Sequence, residues 1–308
     1  MALPVQAAIS ALPAGRWLLA VSGGRDSMVL LDAMSRARQH EIAAVATFDH
    51  RTGAAARAAV ALVEREAGQR GLAVVVGEAP AGTRGDEAGW RAARLGFLEA
   101  WALELDAQVA TGHTRDDQVE TVVQRLLRDA GPRGLAAMKA AGVRPLLAVT
   151  RSEVAAYASA HALPFIEDPS NRDLRHQRNR VRLEIIPALE AAVPGFSHWC
   201  WELGTRAAEW RAGLDELAGE LVRAVVGERG ASVVIALEPV REVTEEGWRI
   251  LWPALAARAG VVMDRRGIER AARWAPRARR HGTIQLSNGA RITFTGTTFV
   301  ITGNDARP

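Results

Sequence analysis

Leu18-Leu19-Ala20-Val21-Ser22-Gly23-Gly24-Arg25-Asp26-Ser27-Met28-Val29-Leu30-Leu31 opens as a short apolar run, turns through two glycines, and resumes with apolar residues at helical spacing (Met28, Leu31, Met34). This predicts strand, tight turn, helix. At such a junction the first N–H groups of the helix have no internal acceptor and point, with the positive end of the helix dipole, at whatever lies above the turn. Gly23 and Gly24 let the backbone come close to that ligand. Ser22 and Ser27 add hydroxyl donors, Arg25 a cation, and Asp26 a carboxylate able to hold a metal ion. The stretch reads as a cradle for a pyrophosphate group. It is not a Walker loop, which needs a Lys-Ser/Thr pair after a longer glycine-bounded segment.

Outward from this loop the pattern is strand alternating with helix. Strands are expected at 17–22, 42–48, 72–76 and 107–110, and helices at 25–40, 54–70, 84–105 and 115–128. That alternation predicts an α/β fold, a parallel sheet with helices on both faces. Ligands of such sheets bind at the carboxyl ends of the strands. The polar residues there are Ser22 to Ser27, Asp49-His50 and Thr111-Gly112-His113. A further short extended piece is expected at 144–147, a helix at 151–161, and an arginine-rich helix from the Asp168-Pro169-Ser170-Asn171 turn to Leu189. Beyond Pro194-Gly195 the character changes. Helices are expected at about 197–229, 245–259 and 266–274, with a strand at 232–236 and a closing hairpin about Asn288-Gly289. Two domains follow, residues 1–195 and a smaller α+β domain over 196–308.

Three further constellations carry chemistry. In Thr111-Gly112-His113-Thr114-Arg115-Asp116-Asp117-Gln118-Val119-Glu120-Thr121, a strand end runs into a helix on which Asp117, Glu120, Thr121 and Gln124 share one face. His113, Asp117 and Glu120 are candidates for holding magnesium or a substrate ammonium. Glu87, Arg91 and Arg94 share a helical face, where an arginine can bind a polyphosphate as charge develops. Arg175, Arg178 and Arg182 are expected on one face of the densest basic run; such a run is ordinarily a solvated face, but the Asp-x-Ser-Asn turn ahead of it makes the combination distinctive.

Ser-Gly-Gly-x-Asp-Ser after a buried strand resembles the signature loop of the N-type ATP pyrophosphatases, or PP-loop superfamily. Taken in order with Glu-x-x-x-Arg-x-x-Arg, Thr-x-His-x-x-Asp-Asp-Gln-x-Glu-Thr, and Asp-x-Ser-Asn leading to Arg-Asn-Arg-x-Arg, the chain resembles the tRNA(Ile)-lysidine synthetase family over roughly residues 15 to 190. The resemblance implies an ATP-pyrophosphatase catalytic domain followed by a tRNA-binding domain. It also implies a two-step reaction. ATP adenylates the C2 oxygen of the wobble cytidine of tRNA(Ile) and releases pyrophosphate; the amine of free L-lysine then attacks C2 and expels AMP, leaving lysidine. On this reading Ser22, Gly23, Gly24, Arg25, Asp26, Ser27, Asp49 and His50 bind ATP. Asp26, Arg94 and Asp117 are catalytic, and Asp26, Asp117 and Glu120 are the residues for Mg2+. Arg175, Arg178 and Arg182 are candidates for facing tRNA; so, from their own spacing at i, i+4 and i+7, are Arg266, Arg270 and Arg273, for which a solvated helix face is the alternative. Two departures stand out. The family continues its second strand with Asp-His-x-Leu-Arg, where this chain has Asp49-His50-Arg51-Thr52-Gly53, and Thr114 stands where many members carry a second histidine.

Composition bounds the partners. One cysteine among 308 residues, Cys200, excludes a disulfide framework, a zinc ribbon or an iron–sulfur cluster held by this chain alone. It also weighs against the rival reading within the superfamily, a tRNA thiolation enzyme, which needs catalytic cysteines. The other rival is a tRNA-binding protein with a decayed ATP site, which the altered segment after His50 suggests and the intact loop opposes. No apolar run is long enough to span a bilayer, and the N-terminus lacks a basic flank with a hydrophobic signal core, so a cytoplasmic protein without a membrane partner is expected. A homodimer stays open. Of 39 basic residues only Lys139 is a lysine, and arginine's planar fork suits phosphate.

Overall fold

The computed structural model describes residues 3–80, 87–140, 142–167, 169–227, 230–286 and 289–303. The chain divides into two compact units, Met1–Ala208 and Glu209–Pro308. The fold is the expected one: a parallel sheet covered by helices, then a separate antiparallel α+β unit.

In the first unit helix α1 (Leu3–Ser10) precedes β1 (Trp17–Ala20), α2 (Arg25–Arg38), β2 (Ile42–Asp49), α3 (Ala54–Gln69), β3 (Val74–Glu78), α4 (Glu87–Glu104), β4 (Gln108–Thr111) and α5 (Arg115–Leu126). The strands lie in the order β3-β2-β1-β4, all parallel. β1 is central and buried, which is why it reads as an unbroken apolar run instead of an alternation. Its neighbours still face opposite ways. Leu19 packs with α2 and α3, while Leu18 packs with Leu98 of α4. From Ser27 to Met34 helix α2 is buried at every position. Its outer face is covered by Val5 and Ile9 of α1 and by Val154 and Tyr157 of the helix Arg151–Ala160.

Two expectations of this unit change. The piece at 144–147 is not a strand: Val143 makes a single parallel bridge to Ala110, and the chain then turns. Pro145 has no N–H with which to extend a ladder. The arginine-rich segment is not one helix either. A 3-10 turn (Pro169–Arg172) is followed by one α-turn (Gln177–Arg180), a π-turn (Val181–Ile185) and the helix Ile186–Ala192. Pro187 cannot donate to the carbonyl four residues back, and the widened turn lies directly before it. Asp168, ahead of this segment, lies outside the described residues.

The helix Phe196–Leu221, which includes both Ala208 and Glu209, ends eight residues short of the expected Arg229. β-branched Val222, Val225 and Val226 instead join β5 (Val222–Gly227), paired antiparallel with β6 (Gly230–Ala236). β7 (Gly282–Gln285), β8 (Arg291–Phe294) and β9 (Thr298–Thr302) complete a sheet of order β5-β6-β9-β8-β7. β7 and β8 form the expected closing hairpin, with Gly289 at φ 82° in its connection; Asn288 lies outside the described residues. Helices Glu245–Arg258 and Arg265–Trp274 cover the sheet, and Trp248 stacks on Trp252 one turn along with both rings edge-on to Phe299. Among the described residues no helix is long and apolar enough to cross a membrane.

Candidate active site

The turn between β1 and α2 is built as a cradle. Gly23 takes φ +79°, and a Cβ there would lie 2.9 Å from Ala59 of α3. The first helical bond of α2 runs from Met28 N to Gly24 O at 3.0 Å, so the N–H groups of Arg25, Asp26 and Ser27 have no helical acceptor. Ser27 Oγ closes the turn, donating to Gly24 O (2.8 Å) and accepting from Ser22 N (3.1 Å). At the end of β4, Gly112 abuts the same turn. A Cβ on Gly112 would come within 2.8 Å of Asp26 O, so only glycine permits this approach of strand end to loop.

Around the cradle the structure gathers charge. Asp26 is bonded by Arg25 at 3.1 Å. Burial nonetheless raises its pKa, and the nearby Asp117 adds to the rise. On α5, Asp117 Oδ2 accepts from the backbone N–H (2.7 Å) and hydroxyl (2.9 Å) of Thr114, which begins the helix. Its Oδ1 accepts from Arg151 (3.1 Å) and Arg178 (2.7 Å). The same two guanidinia bond Glu120, Arg151 at 2.9 Å and Arg178 at 3.0 Å, with Arg182 at 3.9 Å. Glu120 is only 2 % exposed. Two carboxylates and two guanidinia thus form a closed network, and such pairing is what makes their burial tolerable. It keeps the Asp117 carboxyl below its ordinary range against the opposing effect of burial.

A second cluster is positive and unbalanced. Arg94 of α4 is half-buried, has no carboxylate partner among the described residues, and meets the like charges of Arg91 and Arg178, so its pKa is lowered, burial being the largest cause. Arg91 is exposed. His113, with Nδ1 2.8 Å from Thr111 Oγ1, is half-buried near Arg144, Arg178 and Arg94; desolvation pushes its pKa down to about 4, and the imidazole is neutral at pH 7. A guanidinium left without a carboxylate in this setting is prepared for an anion.

The remaining expected residues spread wider. Asp49 ends β2 and accepts from Arg51 N at 2.6 Å, while His50 lies tilted against Phe48 (5.1 Å between centroids) and Trp90 (6.3 Å). Arg51 takes φ 57° and bonds Glu78 at the end of β3. Arg175 does not share a face with Arg178 and Arg182. It precedes the α-turn and is clamped by Asp173 at 2.6 Å. In the second unit Arg266, Arg270 and Arg273 are all exposed on one helix, and Glu269 is turned away from them to Arg249 at 3.1 Å.

Sequence reading overlooked Arg151, the hub of the carboxylate network. A signal existed, since a cation in the first turn of a helix opposes the dipole and so needs partners elsewhere. Arg151 finds them in Asp117 and Glu120, while its backbone N–H donates to Asp116 Oδ2 at 2.7 Å. Beside this network a cavity of about 230 Å³ opens, lined by Arg115, Asp116, Glu120, Arg151, Arg182 and His198, with Val119 and Ile186 as an apolar wall. Among the described residues no three His, Cys, Asp or Glu side chains are grouped to hold a metal.

The PP-loop domain model matches residues 2–189, the whole of the parallel sheet and both charged clusters. The chain belongs to the PP-loop domain family. Its curated relatives include tRNA(Ile)-lysidine synthases from Xanthomonas campestris pv. campestris strain 8004 (40 % identical, covering 60 % of this chain and 45 % of the relative). Those from Alkalilimnicola ehrlichii (38 %, 74 % and 54 %) and Parasynechococcus marenigrum (34 %, 65 % and 64 %) also match. The chain therefore spans about half the length of the curated relatives it matches. Among solved structures, the U34-tRNA thiolase from Methanococcus maripaludis superposes with a TM-score of 0.53 at 15 % identity, covering 68 % of this chain and 78 % of that one. At that identity it shows a shared PP-loop fold and nothing finer.

Proposed function

We propose that this PP-loop enzyme ligates free L-lysine to C2 of the wobble cytidine of tRNA(Ile), using ATP and passing through an adenylated tRNA. The observation that carries the reading is the convergence at one sheet end of a phosphate cradle, an unbalanced arginine and a buried carboxylate pair beside a cavity of both charges. The lysidine synthases among the relatives support it.

In the first step the free N–H groups of Arg25 to Ser27 and the hydroxyl of Ser22 hold the triphosphate, with Asp49 and His50 beside the nucleotide. Arg94, rather than exposed Arg91, stabilises the charge that grows as the pyrophosphate leaves. Asp26 is the residue that would hold Mg2+ here, and the ion would neutralise phosphate charge; Asp117 and Glu120 are a poor fit, because arginines occupy their oxygens. In the second step the cavity takes the amino acid. Its guanidinia suit the carboxylate, with Glu120 orienting Arg151 among them, Asp116 suits an ammonium, and Val119 and Ile186 suit the aliphatic stem. The amine bonds to C2, the C2–O bond to AMP breaks, and the amine proton passes to a carboxylate or to water. Thiolation draws no support: Cys200 is fully buried and its thiol is pushed up to about 11, far from a nucleophile at neutral pH. Residues 1–195 carry the ATP chemistry on this reading, and 196–308 bind tRNA.

Incubation with tRNA(Ile), ATP and isotopically labelled lysine, followed by nucleoside mass spectrometry, tests the reaction; label absent from cytidine-derived nucleosides would refute it. If Glu120 positions lysine, Glu120→Gln raises KM for lysine about tenfold, a loss of ~1.4 kcal/mol, and leaves KM for ATP within about twofold; equal rises for both substrates would point to a shared role. Removing Arg266, Arg270 and Arg273 together should make the dependence of log K on log salt for tRNA shallower by roughly 0.7 to 0.9 per lost phosphate contact. An unchanged slope in a folded variant would return them to a solvated face.

A further inference from the structure

The cavity beside the carboxylate network contains a cation that the network does not claim. Of the guanidinia lining it, Arg151 is held by Asp117 (3.1 Å) and Glu120 (2.9 Å), and Arg182 stands 3.9 Å from Glu120. Arg115 has no carboxylate at ion-pair distance among the described residues. Its Nη2 donates to His198 Nδ1 at 3.0 Å, and its guanidinium lies over the Trp201 ring, 4.9 Å from the centroid. The acids around it are engaged elsewhere. Asp116 accepts from Arg151 N (2.7 Å), and Glu153 accepts from the backbone N–H and hydroxyl of Thr150 (2.7 Å each). Glu190 accepts from the N–H groups of Gly195 and Ser197 (2.7 Å each). One hydrogen bond and one ring contact thus fix the Arg115 fork and leave its other N–H donors for an anion. His198 adds a further donor: a guanidinium can only donate, so Nδ1 accepts and the ring proton sits on Nε2. Arg115, Asp116 and Ile186 are partly exposed and His198 is exposed, so each can meet a ligand. A space of about 230 Å³ with a cation, a neighbouring carboxylate and an apolar wall suits a small zwitterion on an aliphatic stem. A phosphate ester in the same place would be opposed by Asp116.

We propose that Arg115, backed by His198, grips the α-carboxylate of the substrate amino acid, with the α-ammonium on Asp116 and the stem along Ile186. The inference rests on the lysine reading above and deepens it, by naming the residue that makes this a site for an amino acid and not for a bare amine. Arg115 holds the end of the substrate that does not react. The ε-amine, which bonds to C2, is left free at the other end of the stem.

The test compares L-lysine with L-lysinamide, which keeps both amines and lacks the carboxylate charge. Wild type, Arg115→Gln, His198→Ala and Arg182→Gln are assayed as full chains, in ligation to tRNA and in calorimetric binding of each compound. Wild type is expected to prefer lysine at least roughly tenfold in kcat/KM, and Arg115→Gln to lose roughly tenfold on lysine through KM. The same variant should stay within about twofold on lysinamide and on KM for ATP. Equal losses on lysine and lysinamide, or an unchanged kcat/KM for lysine, overturn the proposal. So does a preference that survives Arg115→Gln and vanishes in Arg182→Gln. Should Arg115→Gln fail to fold by circular dichroism, His198→Ala decides: a loss confined to lysine supports the grip, and an equal loss on both compounds, or none, overturns it. A wild type that transfers no lysine to tRNA would sink the ligation reading itself, and calorimetry then judges the grip. Lysine bound more tightly than lysinamide, and weakened by Arg115→Gln, upholds it; equal binding of the two overturns it.

Discussion

Asp26→Asn is expected to lose at least ~100-fold in tRNA-dependent pyrophosphate release, about 2.7 kcal/mol in the barrier, while the protein stays folded. The carboxylate lies in the first turn of α2, inside the cradle, and is bonded only by its neighbour Arg25 among the described residues. Asparagine keeps the shape and removes the charge. The effect on stability has the opposite sign. Burial raises the proton affinity of Asp26 in the folded state, so its contribution favours folding below the unfolded value of about 3.9 and is lost as pH rises through the folded value. At neutral pH the ionised group is a burden, and the asparagine variant should melt no lower than wild type. Activity of the wild type should also fall at a higher pH on acidification than an ordinary aspartate would dictate. A variant within about threefold of wild type in pyrophosphate release would remove Asp26 from the chemistry.

Asp32→Ala carries the largest expected cost in stability, roughly 3–5 kcal/mol, the usual range for removing one partner from a buried charged network. Asp32 is 2 % exposed on α2 and accepts from Arg36 (2.7 Å), Tyr157 (3.0 Å) and Arg70 (3.1 Å). It thereby ties α2 to the end of α3 and to the helix Arg151–Ala160. Alanine leaves the Arg70 guanidinium and the buried Tyr157 hydroxyl short of an acceptor. The three donors outweigh desolvation and hold the Asp32 carboxyl below its ordinary range. Its stabilisation is therefore present above the unfolded value of about 3.9 and lost as pH falls through the folded one. Tyr157 behaves in mirror image. With its hydroxyl pushed up to about 12, its contribution holds below the unfolded value of about 10 and fades as pH rises toward 12. Urea unfolding of wild type and variant across pH measures both, and a loss under ~1 kcal/mol at neutral pH would show that Asp32 is not the anchor.

The parallel sheet, the cradle and most of the candidate residues are legible in the sequence, because each is encoded locally. A glycine pair after an apolar run can only turn there, and the hydrophobic period switches from strand to helix within a few residues. The closing hairpin was legible for the same reason. Local signals also misled where partners decide. Val222 to Gly227 follows a helical pattern, yet it pairs as β5 because β6 is close in the chain and accepts it. Nor does the arginine-rich segment form one helix: Arg175 falls before the α-turn, held by Asp173, and so does not share a face with Arg178 and Arg182.

Which charges meet is set by packing alone. Helical spacing put Asp117 and Glu120 on one face, but nothing in the spacing says that Arg151 and Arg178, 34 and 61 residues beyond Asp117, bond both of them. The same holds for Arg94, whose significance is that no carboxylate among the described residues meets it, and for Asp32, which reads as an ordinary surface acid on a helix until two later helices bury it. Charge pairing is long-range in sequence and short-range in space. A local pattern can therefore nominate a carboxylate, and only packing determines whether arginines already neutralise it.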